Sequence, residues 1–202
     1  MNPNDSDEML MLSYGEGDLQ AFGELYRRHS RGLYQFIAWR APRRDWVEEI
    51  VQDSWAALHE ARARYRPEAA FRTWLYQIAR NRLIDLLRQK QLKLASEMGA
   101  GVAEDEGSED RFGALVDGQY QSNSPEAELE QKQQVSALHQ AIGSLPSEQK
   151  EALVLQQFNG LSIEEIAEIT QVAPETVKSR LRYAMQKLRS RLQERALQGE
   201  TA

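Results

Sequence analysis

Thr176, Lys178, Ser179, Arg180 and Arg182 stand at the start of a helical pattern whose other face carries Val177, Leu181, Ala184, Met185 and Leu188. Short polar side chains beside arginines in the first turns of a helix suit a DNA major groove. The short residues approach base edges, and arginine pairs bidentately with guanine. Lys187, Arg189 and Arg191 follow, with the charge and reach to hold phosphates. A second cluster, Tyr65-Arg66-Pro67-Glu68-Ala69-Ala70-Phe71-Arg72-Thr73-Trp74-Leu75-Tyr76, sets a proline-containing loop directly before a helix rich in arginine and aromatics. Arg80, Arg88 and Lys90 on its continuation can track a phosphate backbone, and Asn81 can read a base edge. A loop ahead of such a helix can hold an unstacked base, as single strands are often read. Most of the aromatics belong to the core on this reading, since Trp74 and Ile78 lie four apart on the apolar face.

These clusters need scaffolds, and the apolar spacing is helical almost throughout. Leu19, Phe22, Leu25, Tyr26, Leu33, Phe36 and Ile37 form one stripe. Trp46, Val47, Ile50, Val51, Trp55 and Leu58 form a second, and Phe71, Trp74, Leu75, Ile78, Ala79, Leu83 and Leu86 a third. Pro42 separates the first two, and the Arg66-Pro67 step separates the second from the third. Residues 95–125 lose the periodicity and read as a linker; within it Phe112, Leu115 and Val116 can dock as a short turn. Helices resume at about residue 126 and again at about 147–158, 162–170 and 174–195. Ser162 with Glu165 three residues later is a capping box, and Pro174 suits the first position of the next helix. Ala173 stands where a Ser or Thr cap is expected, a loss of about 1 kcal/mol. The expected fold is all-α: two small helical domains, 10–94 and 126–198, joined by an acidic flexible linker, 95–125, with a helix-turn-helix in the second.

Charge agrees with a polyanion ligand although the total is −6. From Arg62 to Lys93 nine bases face two acids, net +7, and from Glu175 to Arg195 seven face two, net +5. Between them, Glu97 to Glu130 holds ten acids and one base, net −9. The 202 residues include no cysteine and three scattered histidines, His29, His59 and His139. That argues against a disulfide framework, a thiolate nucleophile and a metal centre. No apolar run approaches the roughly 18 residues of a membrane span. The acidic start, MNPNDSDEMLML, is unlike a signal peptide, so the expected compartment is the cytoplasm. Glu48, Glu49 and Asp53 are an acid cluster, but 49 and 53 are one helical turn apart with no third ligand in view. A protein-binding face fits them better than magnesium. No phosphate-cradling glycine loop or nucleophile motif appears; no cofactor and no catalysis are expected.

Phe71 to Asp85 closely resembles the promoter-melting helix of bacterial sigma factors of the extracytoplasmic-function (ECF) group, in the sigma-70 superfamily. Gly17 to Tyr26 resembles that group's opening helix and Glu48 to Trp55 its polymerase-binding helix. Leu145-Pro146, Gly160 to Ala167 and Thr176 to Leu181 resemble its second domain. The resemblance implies a dissociable subunit of core RNA polymerase that selects promoters and helps melt them. It implies polymerase contacts at Glu48, Glu49, Gln52, Asp53 and Trp55. It implies minus-ten element contacts, on the melted strand, at Arg64, Tyr65, Arg66, Pro67, Glu68, Arg72, Arg80, Asn81 and Arg88. It implies minus-thirty-five contacts, on duplex DNA, at Thr176, Lys178, Ser179, Arg180, Arg182 and Lys187. It also implies an anti-sigma partner. Pro67 departs from the family's frequent loop glycine, and Ala173 lacks the cap. The acidic linker then suits either a basic polymerase channel that nascent RNA later occupies or a solubilising spacer. A one-component helix-turn-helix regulator, acting on duplex DNA without polymerase, explains the C-terminal half equally well. It leaves the basic aromatic helix at 71–90 without a purpose.

Overall fold

Caps set the helix boundaries, and apolar stripes set which faces meet. The computed structural model describes residues 5–68, 70–97 and 125–199, and every extended element among them is helical. The first unit holds α1 (Asp7–Gly15), α2 (Leu19–Ala38), α3 (Arg44–Ala61), a 3-10 turn (Arg62–Arg64) and α4 (Phe71–Glu97). The second holds α5 (Pro125–Gly143), α6 (Ser147–Gln157), α7 (Ile163–Thr170) and α8 (Pro174–Gly199). The expected linker, with Phe112, Leu115 and Val116, falls mostly at 98–124, outside the described residues.

Ser6 opens α1 by accepting from the Met9 N–H at 3.3 Å. Asp18 opens α2, accepting from Gln20 and Ala21 at 2.8 and 3.3 Å. Periodicity alone had missed α1, because apolar residues ring it: Leu10, Met11 and Tyr14 are buried while Met9 and Leu12 face out. Its polar side ties to α2, where Asp7 takes Arg28 at 2.9 Å and His29 at 2.6 Å. Its most consequential contact is with α4. The Glu8 carboxylate accepts from the Phe71 N–H at 3.0 Å and so satisfies an orphan donor in the first turn of α4. Leu25, Leu33 and Phe36 of α2, Val47, Ile50 and Leu58 of α3, and Phe71, Leu75, Ala79 and Leu83 of α4 fill the core between them.

In the second unit the capping box is present in full: Ser162 Oγ accepts from Glu165 N–H at 3.1 Å, and Glu165 accepts from Ser162 N–H at 2.7 Å. The helix-turn-helix bend runs through Gln171, at φ 57° in the left-handed region, followed by Val172 and Ala173. Ala173 offers no side-chain cap, but its carbonyl accepts from Thr176 at 2.9 Å and Val177 at 3.3 Å. Val177, Leu181, Ala184 and Leu188 of α8 are buried toward α6 and α7, whereas Met185, expected on the same face, lies at its edge and is exposed.

The two units do not stand apart. Their buried residues form one continuous apolar cluster. Helix α7 lies along α4, and α6 touches α2. Trp39, at the end of α2, stacks at 5.3 Å from His139 of α5 and 5.5 Å from Phe158 at the end of α6. Five successive positions of α6, Glu151 to Leu155, are buried because the helix is covered from both sides.

Two local devices are open to measurement. Ser162→Ala should lower the stability of the chain to urea by about 1 kcal/mol, whereas Gln171→Gly, relieving the left-handed strain, should raise it by about 0.5 kcal/mol. Glu8→Ala should cost about 1 kcal/mol at neutral pH. The Phe71 N–H is the main cause holding Glu8 below its usual 4.5. That contribution is therefore full above pH 4.5 and fades as acid protonates the carboxylate, so wild type and variant should converge at low pH.

Candidate nucleic-acid interface

Helix α8 presents its basic start outward. Thr176, Lys178, Arg182 and Lys187 are exposed, and Ser179 and Arg180 are half-buried. Val177 and Leu181, pointing inward, set this rotation. Lys178 is steadied by Glu175 at 2.7 Å, and the Arg182 guanidinium lies over the Tyr183 ring at 5.1 Å. Both neighbours leave the charges available at the surface, where a groove would meet them.

The first unit offers a loop and a helix face. Arg64, Arg66, Pro67 and Glu68 are exposed in the loop, as are Asn81 and Arg88 on α4. Tyr65 corrects the expectation that it faces a strand. It is 4% exposed, with its ring 5.0 Å from Trp74 and 6.4 Å from Phe71. Its hydroxyl has no hydrogen-bond partner among the described residues. Burial, with Glu8 and Asp7 adding, pushes that hydroxyl up to about 12. Tyr65 is thus the wall behind the loop. Lys90, expected along a phosphate track, sits 5.5 Å from the centre of the Trp46 ring.

Arg72 and Arg80 are already occupied. Arg72 donates to the Asn159 carbonyl, in the turn after α6. Tyr76 donates to Asn159 Oδ1 at 2.5 Å, and Gln77 to the Glu168 carbonyl of α7 at 3.3 Å. Arg80 donates to Glu151 Oε1 at 3.0 Å, and Arg40 from the end of α2 donates to the same oxygen. Glu151 is 2% exposed and Arg40 9%. Burial, with Arg80 beside it, draws Arg40 down to about 10, so it stays charged at neutral pH. Burial and then the Arg180 charge draw Arg80 down as well.

On α3, Glu48, Glu49, Gln52 and Asp53 are exposed together, one turn apart. Trp55, placed by its spacing on the apolar stripe and by the resemblance among the polymerase contacts, takes the core position and does not join them. It is 6% exposed, edge-on to Phe22 at 5.8 Å and 5.1 Å from Tyr26. It anchors α3 from inside. Sequence reasoning missed Arg40, Glu151 and Asn159 altogether. The one available signal was the unbroken apolar run Ala152 to Leu155, which marks a helix buried on more than one side without saying against what.

No helix among the described residues is long and apolar enough to cross a membrane. The family pattern Sigma-70 region 2 matches residues 25–93, and Sigma-70, region 4 matches residues 136–188. The chain is 30% identical over 188 residues to RNA polymerase sigma factor NccH of Alcaligenes xylosoxydans xylosoxydans, covering 93% of this chain and 95% of NccH. It is 30% identical over 189 residues to the ECF RNA polymerase sigma-E factor of Escherichia coli strain K12, covering 93% and 95%. Its fold is similar to that of CnrH solved in complex with the cytosolic domain of CnrY, with 25% identity and a TM-score of 0.64 over 94% of this chain and 99% of that one. CnrH is a sigma factor of Cupriavidus metallidurans. Two sigma-70 regions in order, each on its own helical unit, and relatives matched along nearly their whole length show that this chain belongs to the ECF group of RNA polymerase sigma factors.

Proposed function

We propose that this sigma factor uses its two basic faces for the two halves of promoter recognition. The start of α8, through Thr176, Lys178, Ser179, Arg180 and Arg182 with Lys187, reads the duplex minus-thirty-five element. The 64–68 loop and the α4 face of Arg72, Arg80, Asn81 and Arg88 hold the non-template strand of the minus-ten element as it melts. The exposed acids and Gln52 of α3 dock on core RNA polymerase, with Trp55 fixing their helix from within. The observation that carries this reading is the outward set of Thr176, Lys178 and Arg182 at the start of α8, beside the half-buried Ser179 and Arg180. A helix that served only as core would not combine that polarity with the helix-turn-helix bend in front of it. CnrH is solved with the cytosolic domain of CnrY bound, and on the same reading an anti-sigma protein binds this chain. Work on promoters places it in the cytoplasm, with no catalysis of its own.

Transcription in vitro on pooled genomic fragments, with core polymerase and with or without the protein, tests this directly. Discrete starts that depend on the protein are expected. Specific duplex binding without such starts would overturn the reading in favour of a regulator that works without polymerase. Within the minus-thirty-five set, Arg182→Ala should narrow the preference for the selected duplex over a mismatched one by about 1–3 kcal/mol. Lys187→Ala should weaken all sequences alike and reduce the log–log salt slope by about 1.

A further inference from the structure

We propose that the seam between the two units is an autoinhibitory contact in which α6 and the turn after it occupy the donor face of α4 in place of a DNA strand. The proposal rests on the strand-binding role assigned to that face above.

Arg72, Tyr76, Gln77 and Arg80 are spaced along one side of α4, and each donates to an oxygen of the second unit. The acceptors are a carboxylate, Glu151, and three amide oxygens: the Asn159 carbonyl, the Asn159 side chain and the Glu168 carbonyl. A nucleic-acid strand presents the same chemistry, with anionic oxygens on phosphates and carbonyl oxygens on base edges. The second unit imitates it with one negative charge and a row of amide dipoles. Protein and strand cannot both hold Arg72 and Arg80, so strand binding requires the seam to open.

Two features show that the seam is fitted. A side chain at Gly32, within α2, would bring its Cβ to 2.9 Å from the Tyr76 hydroxyl and 3.0 Å from Asn159 Oδ1. At Gly23 on the same helix it would meet nothing within 4 Å. Glycine is a poor helix residue, and at position 32 its bare backbone is what leaves room for the Tyr76–Asn159 bond. Asn159 is itself pre-aimed, since its amide group donates to the Val154 carbonyl at 3.1 Å. The second feature is charge. Closure brings Arg40 and Arg80 together on one carboxylate, Glu151, which is hydrogen-bonded to both. Without its charge, the two like charges oppose one another at the seam, and the closed state loses its balance.

If the closed form makes up about 90% of the free chain, apparent strand affinity is about tenfold weaker than intrinsic affinity. The test uses the full chain carrying Gly32→Ala, Asn159→Ala or Glu151→Gln, none of which removes a proposed DNA contact. Fluorescence anisotropy with fluorescein-labelled single-stranded DNA of mixed sequence reads affinity, small-angle scattering reads dimensions, and circular dichroism confirms retained helix. Each variant should expand the chain and bind the strand about three- to tenfold more tightly. Should Glu151→Gln fail to fold, Gly32→Ala and Asn159→Ala carry the test. Expansion without a gain in affinity overturns the proposal, as does a wild-type chain that scatters as already open. An equal gain for Gly32→Ala in a chain that also carries Arg72→Ala and Arg80→Ala overturns it too, since the shielded donors would then not be those two. The strand assignment fails by a different sign: Arg72→Ala with Arg80→Ala leaving promoter opening by the polymerase-bound protein unchanged.

Discussion

A carboxylate buried to 2% exposure has to be matched, and Glu151 is matched from outside its own unit. Two arginines, Arg40 and Arg80, from two different helices of the first unit, converge on one of its oxygens. Removing an ion from water costs several kcal/mol, and only close partners offset it. This makes the arrangement of the two units conditional. Docked, the Glu151 carboxylate offsets part of the charge of the two arginines, and Trp39 packs on His139 and Phe158 of the second unit. The polar seam thus lies within the apolar cluster that the two units share.

The same logic explains why α4 is built with such care. At its start the Phe71 N–H is taken by Glu8 of α1, 63 residues earlier. Its apolar side is locked by Phe71, Leu75, Ala79 and Leu83. The loop in front of it is backed by the buried Tyr65 ring. Those constraints fix the direction in which Arg72, Arg80, Asn81 and Arg88 project, whatever covers them. A rigid helix loses little positioning entropy when the second unit docks on it, or when a strand binds there as proposed. The helix-turn-helix is different. Its capping box, its left-handed Gln171 and its inward Val177 and Leu181 are local features, and α8 takes its aim from within its own unit.

That contrast marks how far the sequence alone reaches. Helix periods, the Ser162–Glu165 box, the Pro174 start and the rotation of α8 depend on residues within a few turns of one another, so they are legible in one dimension. So are the two basic blocks, since charge segregation needs no fold to be seen. Helix α1 escaped because its apolar residues ring it. The resemblance placed Trp55 and Tyr65 among the contacts, and an aromatic among polar neighbours reads equally as anchor or as contact. The difference lies in Phe22 and Tyr26 packing from α2, and in Phe71 and Trp74 packing from α4. Tertiary structure alone decided that Glu8 takes the Phe71 N–H, that Gly32 leaves space for Asn159, and that Glu151 draws Arg40 and Arg80 to one point. Those contacts join residues 63 to 127 positions apart. Pairing over such distances is set by which faces remain to be buried once the helices exist, and that is a property of the packed chain rather than of any local stretch.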